Sequence, residues 1–243
     1  LRALVSKAVE WKLLESHPFA GVKPLRVDKR GRVRYLTPAE EKRLRDALVQ
    51  RETSLREARQ RFNAWRTQRE LKPLPERAGE FVDHVRPLTL LALNTGLRRG
   101  ELLTLTWADV DLAARQLTVQ GHNAKSAQTR NVPLNVEAHH VLTVWKELRP
   151  AAAPDACVFA RSGGKAMTRI DNAWDTVTSL AGLQNFRFHD CRHHFASKLV
   201  MAGVPLNTVR DLLGHASIDM KMKYSHLAPD TLAHAVEKLT AAG

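Results

Sequence analysis

The stretch HVRPLTLLALNTGLRRGELLTLTW (84–107) constrains the fold most, because it is rich in leucine and is interrupted by a Thr-Gly pair at 95–96. It predicts core helices that break around Thr95 and Gly96, and core helices need other apolar faces packed around them. Helical patterns at 135–148, 168–181, 189–202, 205–213 and 230–240 supply such faces, with Gly203 and Gly214 placed as C-caps. RQLTVQ (115–120) and TRNVPLN (129–135) alternate like strands on either side of the polar GHNAKSAQ, so they read as a hairpin. The predicted fold class is mainly α with a small antiparallel β-sheet or hairpin, an α+β protein.

Toward the N-terminus, Leu1, Leu4, Val5, Ala8, Trp11 and Leu14 recur at helical spacing, which predicts a helix over residues 1–14. HPFAGVKPLRVDKRGR (17–32) combines Pro and Gly with many basic residues, and reads as a linker between a short element, 1–16, and a larger body, 34–243. In TPAE (37–40) Thr37 is an N-cap, Pro38 takes the first helical position and Glu40 closes a capping box, so a helix runs from there toward Val49. Residues 51–80 are dense in charge, with a narrow apolar stripe of Leu55, Ala58, Phe62 and Trp65. They read as a protruding helix followed by a loop at LKPLPERAGE. The first residues lack the basic, apolar, small order of a signal peptide and do not begin with Met, so the chain reads as a fragment without its N-terminal part.

Thirty-eight Lys and Arg against 25 Asp and Glu leave a net charge of +13, the footprint of a protein that meets a polyanion, nucleic acid first. A membrane is disfavoured, since the sequence has no apolar run long enough to span one and no separate cationic amphipathic arm. Two cysteines, Cys157 and Cys191, make no disulfide framework and suit a reducing, cytoplasmic compartment.

Four clusters carry candidate chemistry. FRFHDCRHHF (186–195) packs three His and two Arg into ten residues. As a helix from Phe188 it sets His189 and Arg192 on one face, with Cys191, Phe195 and Leu199 on the buried side. His189 and His193 stand four apart, a workable zinc spacing, but no Glu follows the first His and an Arg between the ligands opposes a dication. A metal site, a solvated basic face and half of an active site all remain open on these residues alone. In NTGLRRGELLTL (94–105), Arg98 and Glu101 are three apart, so Glu101 is placed to orient Arg98; the plainer alternative is a surface ion pair. Lys125 sits at the hairpin tip in AKSAQTR, and LLGHASIDMKMKYSHL (212–227) sets His215 nine residues before Tyr224.

Taken together, over roughly residues 34–230, the chain resembles the catalytic domain of the tyrosine recombinase, or phage integrase, family. The resemblance rests on Arg98 in TGLRRGEL, Lys125 before VPL, His189 and Arg192 in HDCRHHF, His215 in LLGH, and Tyr224. It implies that fold for 34–243, with residues 1–16 as the last helix of a truncated core-binding domain. The implied activity is site-specific cleavage and rejoining of double-stranded DNA, with no cofactor, metal or ATP. Tyr224 attacks a phosphodiester to give a 3′-phosphotyrosyl link, and His189 is the candidate general base. Arg98, Arg192 and His215 hold the phosphate, Lys125 protonates the departing 5′-oxygen, and His193 and His194 flank the site. A helix at 230–240, striped by Leu232, Val236 and Leu239, implies docking on a neighbouring protomer in a tetramer on DNA, with accessory DNA-bending proteins as further partners. A type IB topoisomerase-like enzyme and an inactive DNA-binding module are the competing readings.

Overall fold

The reciprocal bonds that start a helix at Thr37 set the frame of the larger unit. Thr37 Oγ1 accepts from the Glu40 N–H at 3.2 Å, and Glu40 Oε2 accepts from the Thr37 N–H at 2.9 Å, with Pro38 at the first helical position. The computed structural model describes residues 1–23, 33–121, 128–149, 152–161, 166–214 and 224–227. The predicted helix at 230–240 lies outside the described residues. The chain divides into two compact units, Leu1–Arg32 and Val33–Gly243.

In the first unit, α1 (Arg2–Glu10) has no buried residue and stops earlier than the sequence predicts. Lys12 takes a left-handed φ of 59°, and the Lys12 and Leu13 N–H groups fold back onto the carbonyls of Val9 and Ala8. That closure satisfies the orphan carbonyls and ends the helix.

In the second unit, α2 runs unbroken over Pro38–Thr67, where the sequence suggested two pieces. Its interior holds neither Gly nor Pro beyond the first turn, and pairs such as Lys42–Asp46 and Arg45–Glu41 brace it. The first half buries Leu44, Ala47 and Leu48. The second half does not protrude bare, because residues 68–84 fold back along it. Arg56, Arg59 and Arg66 donate to backbone carbonyls of this strap. The Asn63 amide donates to the Leu74 carbonyl at 2.8 Å and accepts from the Leu74 N–H at 2.9 Å. Buried Glu52 accepts from the Val82 N–H and from Arg86. Polar bonds to backbone, rather than an apolar stripe, hold the strap, which is why the hydrophobic pattern there is so narrow.

The leucine-rich stretch forms α3 (Val85–Thr95), buried along most of its length, and α4 (Arg99–Thr104). Between them Gly96 caps α3 with φ 63°, as the Thr-Gly break predicts. Among the described residues a three-stranded antiparallel sheet follows, β1 (Val110–Asp111), β2 (Gln116–Val119) and β3 (Arg130–Pro133), with Leu117 opposite Val132. Leu117, Val119 and Val132 enter the core, while Thr118 bonds Asn131 on the other face. Strand β1 was not evident in the sequence, since two residues carry no periodicity.

Helices α5 (Val136–Glu147), α6 (Asp171–Leu180), α7 (Asp190–Met201) and α8 (Leu206–Leu213) complete the described fold. The main core gathers Leu91, Leu102, Leu142, Trp145 and Phe159, and the Trp145 indole N–H is satisfied by the Val158 carbonyl at 2.7 Å. A second cluster joins Ala196, Val200, Val209, Leu213 and Tyr224. Helix α7 lies between these clusters and packs on both α3 and α8.

Candidate active site

Because α7 has neighbours around most of its circumference, its sequence does not divide cleanly into a wet and a dry face. Cys191 is buried as expected, and burial pushes its thiol well above the ordinary range. Phe195 and Leu199 are only half-buried, whereas Arg192, His194, Ala196, Ser197 and Val200 are enclosed.

Arg192 is 3% exposed. Its Nη1 donates to the Gly96 carbonyl at 2.8 Å and its Nη2 to the Leu213 carbonyl at 2.5 Å. These carbonyls end α3 and α8, where acceptors lack intrahelical donors and the backbone dipoles leave partial negative charge. Burial lowers its pKa to about 9, aided by the charges of Arg98 and Arg130 and opposed by Glu101 and Tyr224. The guanidinium therefore stays protonated at neutral pH.

Arg98 stands where α4 begins. Glu101 Oε2 accepts from the Arg98 N–H at 2.9 Å, and Oε1 accepts from Arg98 Nη1 at 2.7 Å. Arg98 Nη2 reaches the Gly214 carbonyl at 3.4 Å. Arg98 and Arg192 thus come to the same place, both tied to the C-terminal end of α8. Glu101 also holds a second guanidinium, that of Arg130 on β3, at 3.2 and 2.7 Å. Burial works to raise the Glu101 carboxyl, but hydrogen bonds from Arg130 and from the Arg98 backbone, with the Arg130 charge, bring it below its usual range.

Tyr224 is 1% exposed, and its hydroxyl lies 2.5 Å from Nδ1 of His193. Burial pushes the phenol up to about 12; the Arg192 charge pulls it down and Asp190 adds to the rise. His189 immediately precedes α7 and sets its ring edge-on against His193, with centroids 5.3 Å apart. The sequence points to His189 as the proton acceptor and to His193 as a flanking residue; in the structure Nδ1 of His193 meets the hydroxyl and the His189 ring lies against His193. His194 turns into the core, where Nδ1 accepts from the Leu36 N–H at 3.2 Å and Nε2 stands 3.3 Å from Glu41. A cavity of about 630 Å³ opens beside His189, lined by Arg99, Asp171, Trp174, Asn185 and Arg187.

Lys125 and His215 lie outside the described residues. Among the described residues, no three His, Cys, Asp or Glu side chains gather as a metal site would require. Sequence reasoning does not single out Arg130, and it places His193 only beside the site. The signal for Arg130 was present: it shares the face of core-facing Val132, and an arginine at an inward strand position calls for a buried partner.

Residues 65–231 match the sequence profile of the phage integrase family. The chain is 31% identical over 253 residues to the integrase of Salmonella phage P22, an alignment covering 98% of this chain and 55% of that protein. It is 35% identical over 153 residues to a tyrosine recombinase XerC of Pseudomonas aeruginosa, covering 61% and 49%. Similar folds include the XerA recombinase, with TM-score 0.60 and 21% identity over 98% of this chain and 74% of that one. The Tn1549 transposon integrase bound to circular intermediate DNA has TM-score 0.64 and 19% identity, over 100% and 78%. The chain spans about half the length of the relatives it matches in sequence.

Proposed function

From the premise that this chain belongs to the phage integrase family, we propose that it is the catalytic part of a site-specific DNA recombinase that cuts and rejoins strands through Tyr224. The observation that carries this reading is the meeting of the Tyr224 hydroxyl, His193, Arg192 and Arg98 around the ends of α3 and α8.

The chemistry follows from those groups. A phenol held near pKa 12 is a weak nucleophile at neutral pH, so it needs a base within hydrogen-bond reach. His193 Nδ1 accepts the proton as the phenol oxygen attacks phosphorus. A P–O bond to Tyr224 forms, the bond to the 5′-oxygen breaks, and Lys125 returns a proton to that oxygen. His189, packed edge-on against His193, holds its ring in place. Arg98 and Arg192 present guanidinium forks to the non-bridging oxygens, where charge grows in the transition state, and His215 adds a hydrogen bond. One phosphodiester is exchanged for another, so a free 5′-hydroxyl from a partner strand reverses the step without ATP. Tyr224 and Arg192 are buried, so the incoming phosphate meets them only when the packing around them opens.

Double-stranded DNA is the partner, in keeping with the net charge of +13. Exchange between two duplexes calls for four active subunits, hence a tetramer assembled on DNA, with DNA-bending proteins as accessories. The working location is the bacterial cytoplasm. Among the described residues no helix is long and apolar enough to cross a membrane.

Nicked suicide duplexes tiled over the DNA flanking the chain's own gene test the reading. The expected result is a protein–DNA adduct that survives denaturation, forms in EDTA and is lost in Tyr224→Phe. An adduct that persists in Tyr224→Phe, one that requires magnesium, or none on any tile overturns it.

A further inference from the structure

We infer that Arg130 is a positioning residue for strand cleavage, one that neutralises Glu101 so that the charge of Arg98 stays directed at the scissile phosphate. The inference rests on the recombinase reading above.

Glu101 is enclosed and its two carboxylate oxygens accept from four donors: the Arg98 N–H, Arg98 Nη1, Arg130 Nη1 and Arg130 Nη2. The three side chains together carry one net positive charge. Remove Arg130 and the remaining Arg98–Glu101 pair is neutral toward a phosphate, with a buried carboxylate drawing the catalytic guanidinium onto itself. Orientation and charge at Arg98 therefore come from different residues: Glu101 aims the fork, and Arg130 offsets the cost of placing an anion beside it.

The placement of Arg130 suits this task better than that of an ordinary buried ion pair. Its Nε donates to the Leu212 carbonyl at 3.1 Å, so one planar group joins β3, α4 and the end of α8. Gly214 closes over it. A Cβ at Gly214, where φ is 61°, would stand 2.8 Å from Arg130 Cδ and 2.9 Å from Nη1. The carbonyl of that same glycine meets Arg98 Nη2. In sequence, Arg130 follows the hairpin segment that carries Lys125, and Gly214 immediately precedes His215. The cluster joins the start of α4, strand β3 and the end of α8.

The test compares adduct formation on an ordinary scissile phosphate and on a methylphosphonate, whose transition state bears one negative charge fewer. Arg130→Gln is expected to slow the ordinary substrate about 100-fold, the scale of one lost oxyanion donor, and the methylphosphonate less than about 10-fold. Glu101→Gln added to Arg130→Gln removes the uncompensated anion and is expected to regain most of the loss. Arg130→Lys, which keeps the charge but not the fork, is expected to fall between. Equal losses on both substrates, or no recovery in the double variant, would leave Arg130 a purely structural residue and overturn the inference. If Arg130→Gln does not fold, Arg130→Lys on the two substrates and the double variant against wild type decide the matter. Wild type and Tyr224→Phe run in the same assay: no Tyr224-dependent adduct from wild type refutes the recombinase reading, whereas an adduct indifferent to the Arg130 series refutes only the inference.

Discussion

The Tyr224 hydroxyl and Nδ1 of His193 are hydrogen-bonded across 31 residues of chain at 2.5 Å, and this contact ties the turn at residues 224–227 to α7. His193→Ala is expected to slow Tyr224 adduct formation about 100-fold, as loss of a positioned base does. His194→Gln loses contacts to Leu36 and Glu41 instead, so it is expected to lower the melting temperature while leaving the rate per folded molecule within a few-fold. Single-turnover cleavage with the fraction folded measured in parallel checks both; equal rates for wild type and His193→Ala would remove His193 from proton transfer.

Titration of the phenol provides an independent check. The chain has two tyrosines, and burial pushes Tyr224 to about 12. Subtracting the alkaline absorbance titration of Tyr224→Phe from that of wild type is expected to leave a phenolate step near pH 12. The folded state holds this proton more tightly than the unfolded chain, whose tyrosines ionise near 10. The stability tied to Tyr224 is therefore full below about pH 10 and declines between about 10 and 12. A difference step centred at 10 in the folded protein contradicts the burial of this hydroxyl.

Gly96→Ala is expected to destabilise by about 2–4 kcal/mol, because it combines left-handed strain with overpacking. The new Cβ collides with the Phe195 ring and comes 2.9 Å from Leu213 Cδ2, in the turn whose carbonyl holds Arg192. Gly182 has a similar φ, 61°, with nothing within 4 Å, so Gly182→Ala isolates the strain and is expected to cost about 1 kcal/mol. Urea midpoints of the two variants measure the difference; equal midpoints would rule out crowding at Gly96.

Asn63→Ala removes the amide that clasps Leu74 and leaves the strap with weaker anchors. Loss of such a partly buried hydrogen-bonding group is worth about 1–3 kcal/mol, local to the strap. Proteolytic cleavage between residues 68 and 80 is expected to accelerate about tenfold or more, with little change in the unfolding midpoint of the core. An unchanged cleavage rate would show that the arginine bonds alone hold the strap.

Acid is expected to weaken the start of α2. The Arg34 hydrogen bond leads in lowering Glu40 to about 2; burial opposes it, and the Thr37 backbone bond assists. That contribution is present above the unfolded carboxyl value of about 4.3 and is lost as pH falls through about 2. Arg34→Met is expected to shift the Glu40 titration upward, which carboxyl NMR resolves. A Glu40 value still near 2 in the variant would assign the effect to the cap alone.

Short-range physics was legible in the sequence. The capping box at Thr37, the break at Gly96, the hairpin of β2 and β3 and the spans of α5 to α8 follow from caps, left-handed glycines and periodicity, which act over a few residues. The order of Arg98, Lys125, His189, Arg192, His215 and Tyr224 was legible too, as was the pairing of Arg98 with Glu101, which one helical turn brings together. Continuity of α2 was not, because its distal half is covered by polar bonds to a strap that hydrophobic periodicity does not report.

Only the tertiary structure decided which histidine meets Tyr224 and why Glu101 holds two arginines. His189, His193 and His194 lie within six residues on a helix packed on several sides, so the choice depends on where a segment 31 residues away lands. Arg130 reaches Glu101 across 29 residues and Leu212 across 82. A sequence pattern constrains torsions and faces along one element; the partners of a buried charge are set by which distant elements close around it.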